Sequence, residues 1–156
     1  MKTMMARGAR GTMLEISDDR LRRLFAYWTQ KKGDRRVPSR ADIAPEEITD
    51  ILPWVLLMER VGTRIRYRLV GDEFRQVYGD KLMGMYLDEI DLDHITAAYI
   101  EEYERAAREL VPVARNWTFT KFSGRHLEYE RLILPLSPDD HTVNMYLTGA
   151  VGFGFG

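Results

Sequence analysis

The sequence predicts an α+β domain: one five-stranded antiparallel sheet with helices on one face and an extra helix at the amino-terminal end. Three observations carry that prediction. Periodic segments run in the order helix, two strands, several helices, three strands. The chain has 156 residues, enough for one core and too few for a second catalytic domain. Two strands in front and three behind join in one antiparallel sheet only if the helices between them cross one face. Such a curved sheet, roofed by helices, encloses a pocket.

Each element has its local reason. Residues 1–16 show no periodicity and are expected to be a flexible terminus, followed by a single domain over 17–152 and a tail over 153–156. Ser17, Asp18 and Asp19 open a helix over 18–32, because their side chains satisfy the unpaired N–H groups of a first turn. Leu21, Leu24, Phe25 and Trp28 fall at i, i+3, i+4, i+7 on one face, and Lys31, Lys32 and Gly33 close the helix. That stripe must bury itself against the core or against a second copy of the chain, so it is the candidate dimer or partner seam.

A loop rich in arginine leads to Pro45 and a short helical turn. The continuous apolar run 54–58 reads as a buried strand, and the strict alternation over 64–69 as a strand with one wet face. Residues 70–79 make one or two helical turns closed by Gly79. Asp93 caps the longest helix, with Ile95, Tyr99, Tyr103, Ala106 and Leu110 on one face, and Pro112 stops it. Segments 113–122, 126–136 and 142–151 are all strand-like, with turns at Ser123-Gly124 and Pro138-Asp139-Asp140.

Composition removes whole classes of function. The absence of cysteine excludes disulfides, thiolate metal sites and cysteine nucleophiles. Hydrophobic residues at 45% and charged residues at 30% describe a globular domain. No apolar run approaches the ~20 residues of a membrane helix, and the basic terminus lacks the apolar stretch of a secretory signal. A cytoplasmic location without membrane attachment is therefore expected. The net charge of −1 hides an asymmetry: residues 1–40 carry 11 Lys/Arg against 4 Asp/Glu, and residues 71–110 carry 4 against 11. A near-zero total argues against nucleic acid and leaves self-association or a protein partner.

Catalytic constellations are mostly missing. There is no phosphate-binding glycine-lysine loop, no GxSxG elbow and no HExxH helix. His126-Leu127-Glu128 lacks the PCxxC that a zinc deaminase needs, and the glycine-rich end opens no helix. Asp88, Glu89, Asp91, Asp93 and His94 form an acidic cluster that reads better as caps and a solvated turn than as a metal site. His94 raises haem ligation, but a lone histidine at a helix start reads as a surface residue, so neither haem nor a metal is expected.

Aromatic residues are more informative. Tyr67, Leu69, Phe74, Tyr78, Met85, Tyr99, Tyr103, Trp117, Phe119 and Tyr129 lie on expected inward faces or near the roof, as a filled core or as the lining of a ligand pocket. Several tyrosines on one side bring hydroxyls that need partners when buried, which suits a small amphipathic ligand. Arg64, Arg66 and Arg68 share one strand face and, with Arg35, Arg36 and Arg40, offer either an acidic-partner surface or a solvated outer face.

The strings Leu24-Phe25-Ala26-Tyr27-Trp28 and Pro38-Ser39-Arg40-Ala41-Asp42-Ile43-Ala44-Pro45 resemble the opening of a PAS-domain family common in alphaproteobacteria (PAS_5-like). Tyr67-Arg68-Leu69-Val70-Gly71, the stretch 79–84 and Glu130-Arg131-Leu132-Ile133-Leu134-Pro135-Leu136 follow the same pattern, over about residues 20–152. The resemblance implies a PAS fold and a stand-alone sensory or signalling role, with a small-molecule ligand left open, a protein partner and homodimer expected, and no enzyme activity. It transfers no cofactor, and the light-sensing branches it brings to mind need a cysteine that this chain lacks. Two other readings stand beside it. One is a small-molecule enzyme on the nuclear-transport-factor-2-like fold, and the other is a ligand-free protein-interaction scaffold.

Overall fold

The apolar run and the alternating segment become a hairpin of β3 (Val55–Val61) and β4 (Arg64–Val70), turned at Gly62, whose φ of 62° favours glycine. These elements come from a computed structural model that describes residues 4–7, 13–90, 96–120, 124 and 126–152, with backbone alone for 4–7, 13, 117–120 and 126–128. A short hairpin precedes them, β1 (Met4–Arg7) with β2 (Met13–Ile16). The back of the chain supplies β5 (Val113–Thr120), β6 (His126–Leu136) and β7 (Met145–Val151). The five long strands pair antiparallel in the order β4-β3-β7-β6-β5. The last strand thus lies between the front hairpin and the back pair, and the expected α+β class with one five-stranded sheet is the observed one.

Sequence shows no period over 1–16 because β2 is only four residues long. Within it Leu14 and Ile16 are buried and Glu15 is exposed, an alternation too brief to read alone.

Helices α2 (Asp72–Tyr78) and α3 (Thr96–Glu109) roof one face of the sheet. Helix α3 buries Tyr99, Glu102, Tyr103 and Ala106, the i, i+3, i+4, i+7 set. Helix α1 (Asp19–Lys32) packs on the opposite face. Its N-cap Asp18 accepts from the Arg20 N–H at 2.8 Å, and Gly33 ends it at φ 57°. Gly149 of β7 makes room for it: a Cβ there would stand 2.7 Å from Leu21 Cδ2 and 2.8 Å from Leu24 Cδ2. The Trp28 indole N–H donates to the Pro135 carbonyl at 2.9 Å. The Glu130 carboxylate accepts from the Ser17 and Asp18 N–H groups at 2.7 and 2.9 Å, fixing the start of the helix to β6.

The seam expected on α1 is corrected by this packing. Leu21, Leu24, Phe25 and Trp28 are between 1 and 6% exposed within the single chain, so they are core and not a free dimer surface. A second correction concerns Leu69. Leu57 pairs with Leu69 but Met58 pairs with Tyr67, so Arg68 is an extra residue in a β-bulge. The bulge flips parity, placing Tyr67 on the roofed face and Leu69 on the α1 face beside Leu57, Ile48 and Leu147. None of the described helices is long and apolar enough to cross a membrane.

Candidate functional site: a buried arginine among tyrosines

Under the roof, Leu56, Tyr67, Phe74, Tyr78, Leu82, Ile90, Tyr99 and Tyr129 enclose a cavity of about 30 Å³. Ligand pockets run to roughly 300–1,000 Å³. This space holds about one water. Five of the residues expected to line a pocket therefore do meet there, namely Tyr67, Phe74, Tyr78, Tyr99 and Tyr129, but they nearly fill it. Tyr103 is fully buried beside them, Met85 is half-buried against the core elsewhere, and Leu69 is on the far face. The side chains of Trp117 and Phe119, and all of Asp91, Asp93 and His94, lie outside the described residues.

The hydroxyls of Tyr99, Tyr103 and Tyr146 are partnered. Tyr99 and Tyr103 share a hydrogen bond of 2.9 Å, and Tyr103 shares another of 3.0 Å with the buried Thr148 hydroxyl of β7. Tyr146 packs edge-on against Tyr103 at 4.8 Å and accepts from Arg60 at 3.1 Å, while Arg60 also pairs with Glu104 of α3 at 2.8 Å. Burial pushes the phenols of Tyr67, Tyr99, Tyr103 and Tyr129 up, so they remain neutral hydrogen-bond donors.

At the centre sits a charge. Arg131 of β6 is 0% exposed, yet it carries a guanidinium that no protein interior can deprotonate. Its Nε and Nη2 donate to Glu102 Oε1 of α3 at 3.0 and 2.5 Å. Tyr99 lies flat against the guanidinium at 3.7 Å from the ring centre, and Tyr129 stands at 5.5 Å with its hydroxyl 3.5 Å from Nη1. Burial disfavours the charge, and the pull of Tyr99, Tyr129 and Glu102 more than offsets it. The second Glu102 oxygen, Oε2, is buried without a hydrogen bond and lies 3.7 Å from Arg115 Nε, on the neighbouring strand opposite Arg131.

A PAS-domain family model (PAS_5) matches residues 16–151. The chain belongs to the PAS domain family. Among solved structures, this PAS domain is similar to a PAS domain from Colwellia psychrerythraea, at 9% identity and TM-score 0.47, over 70% of this chain and 96% of that one. It is also similar to the PAS domain of BvgS from Bordetella pertussis, at 17% identity and TM-score 0.43, over 70% and 90%. The Aureochrome1 LOV domain in its light state matches at 8% identity and TM-score 0.48, over 69% and 86%. No curated protein matches.

The motifs that carry the PAS resemblance turn out to be structural. Trp28 ties α1 to the sheet, and the Tyr27 hydroxyl donates to Glu47 Oε1 at 2.8 Å while accepting from the Ala44 N–H at 2.9 Å. Asp42 accepts from the Ser39 N–H and hydroxyl at 2.8 and 3.0 Å and pairs with Arg35 at 2.8 Å. The arginines do not converge on one surface. Arg36 reaches the Glu109 carbonyl, Arg40 the Ile43 carbonyl, Arg64 pairs with Asp88, Arg66 with Glu59, and the bulge takes Arg68 out of their row. Glu89 caps the Tyr86 N–H at 2.8 Å.

Sequence reasoning missed Arg131 and Glu102 as site residues, though a signal existed. An arginine at the head of the apolar run 132–136 must find a partner where the strand is buried, and Glu102 occupies the buried stripe of α3 between Tyr99 and Tyr103.

Proposed function

We propose that this PAS domain is a sensory module that takes its input between the sheet and α3 and passes it on through a shift of α3 or through a protein partner or second copy. The observation that carries this reading is the Arg131–Glu102 pair, which joins the sheet to its roof through buried charge. Such a pair adds little net stability compared with apolar residues of similar volume. A buried pair that is either made or broken suits a switch, and a ligand shifts such an equilibrium only by binding one state better. Strand β6 also offers a route outward. Glu130 holds α1 on one face while the adjacent Arg131 holds α3 on the other.

The experiment is a thermal-shift screen of metabolites and cofactors, with an absorption spectrum, a native mass and hydrogen exchange on α3. A compound or partner that raises the melting temperature and changes exchange in α3 supports the reading. No response from any compound or copy number, with α3 exchanging as slowly as β6, overturns it. The small cavity favours one second reading, a ligand-free interaction scaffold, which predicts a partner or dimer without any small-molecule response.

A further inference from the structure

We propose that the roofed core takes an acetate-sized carboxylate on Arg131, in competition with the chain's own Glu102, which then stays paired with Arg115 at the rim. This inference rests on the sensory reading above and names the chemical class of its input. Glu102 is a poor partner for the guanidinium it occupies. An arginine presents a planar fork that a carboxylate matches with two oxygens in parallel. Here both Nε and Nη2 converge on the single oxygen Oε1, and Oε2 is left buried with no hydrogen bond. A carboxylate free of α3 could align both oxygens with the fork.

Glu102 also has somewhere to go. Its Oε2 is already 3.7 Å from Arg115 Nε, whose side chain is 50% exposed at the edge strand β5. Arg115 and Arg131 face each other across β5 and β6, so one carboxylate is shared by two guanidiniums. A short swing of Glu102 outward keeps the Arg115 pair and releases the fork.

Size and lining set the ligand class. The cavity of about 30 Å³ touches Tyr99 and Tyr129, the rings beside the guanidinium, but is not lined by Arg131 or Glu102, so a compact group reaches the fork only by taking the space that Glu102 vacates. The neutral phenols around it carry hydroxyls that an anion would accept from, and the buried cation favours an anion over a neutral group and repels a positive one. Glu102 thus acts as an internal stand-in for the ligand, and its departure frees α3 from the sheet.

The test titrates the whole chain with sodium acetate against sodium chloride at matched ionic strength. Acetamide is the neutral isostere and phosphate a second anion. Thermal unfolding and amide NMR shifts along β6 are the readouts. The wild type should give a saturable response to acetate alone. Glu102→Ala should bind acetate about tenfold tighter, because the competing state is removed. Should Glu102→Ala fail to fold, Glu102→Gln keeps the shape without the charge and should also bind more tightly. The double variant Glu102→Leu/Arg131→Met should fold and lose the response. Equal wild-type responses to acetate and chloride, a response to phosphate and not acetate, or no gain in affinity on replacing Glu102 would overturn the proposal. A stabilising ligand of another class in the metabolite screen would overturn it too, while leaving the sensory reading in place.

Discussion

Arg131 concentrates the physics of this protein in one side chain. It is fully buried, and its partner Glu102 is 8% exposed, so truncating either leaves a charge that water cannot reach. Arg131→Met should cost about 3–5 kcal/mol in urea unfolding, the usual penalty for orphaning a buried charge. Adding Glu102→Leu should restore most of it, because an apolar pair of similar volume carries no desolvation cost. A double variant as unstable as Arg131→Met would show that the pair contributes through geometry and not through charge. Asp139 makes the opposite case, a carboxylate that gains from its surroundings at the surface. N–H groups of Thr142 and His141 and the Ser137 hydroxyl hold its pKa down to about 2 from the ordinary 3.8. A depressed folded-state value contributes stability above 3.8 that fades as pH falls toward 2. Asp139→Asn should therefore melt below the wild type at pH 6, with the gap closing by pH 2. A gap that stays constant across that range would reject the assignment. Asp139 was legible as a turn residue, whereas Arg131 was legible as a type but not as a role, because a charge beside an apolar run announces a partner without naming it.

At the scale of elements, the contact of α1 with β7 depends on an absent side chain. Gly149→Ala would press a methyl group into Leu21 and Leu24, whose ends can shift only into other core atoms. The expected cost is about 1–3 kcal/mol, the range for overpacking. Faster hydrogen exchange in α1 than in α3 would locate the damage, and unchanged exchange in α1 would mean the sheet absorbs it. Strand and helix identities were readable because their periods are local. The face each would occupy was not. A single extra residue at Arg68 sends Tyr67 and Leu69 to opposite sides of the sheet, and nothing in the alternation of 64–69 marks where pairing slips.

For the whole molecule, the sheet separates two regions that sequence alone would set side by side. The basic segment containing α1 covers one face and the acidic segment containing α2 and α3 covers the other. Burial of the α1 stripe changes a prediction as well. Phe25→Asp with Trp28→Asp should collapse the far-UV circular dichroism and the cooperative melt, because both side chains are in the core. A folded monomer from that variant would contradict the packing described here. The sequence by itself determined the order of the elements from α1 onward and the five-stranded sheet, since periodicity, caps and turn residues act within a few positions of the chain, and its motifs carried the resemblance to the PAS family. Only the tertiary structure decided that α1 closes the outer face, that the tyrosines nearly fill their own pocket, and that Arg131 meets Glu102. Those facts depend on register and on contacts such as Arg131 with Glu102, 29 residues apart, which no local pattern encodes.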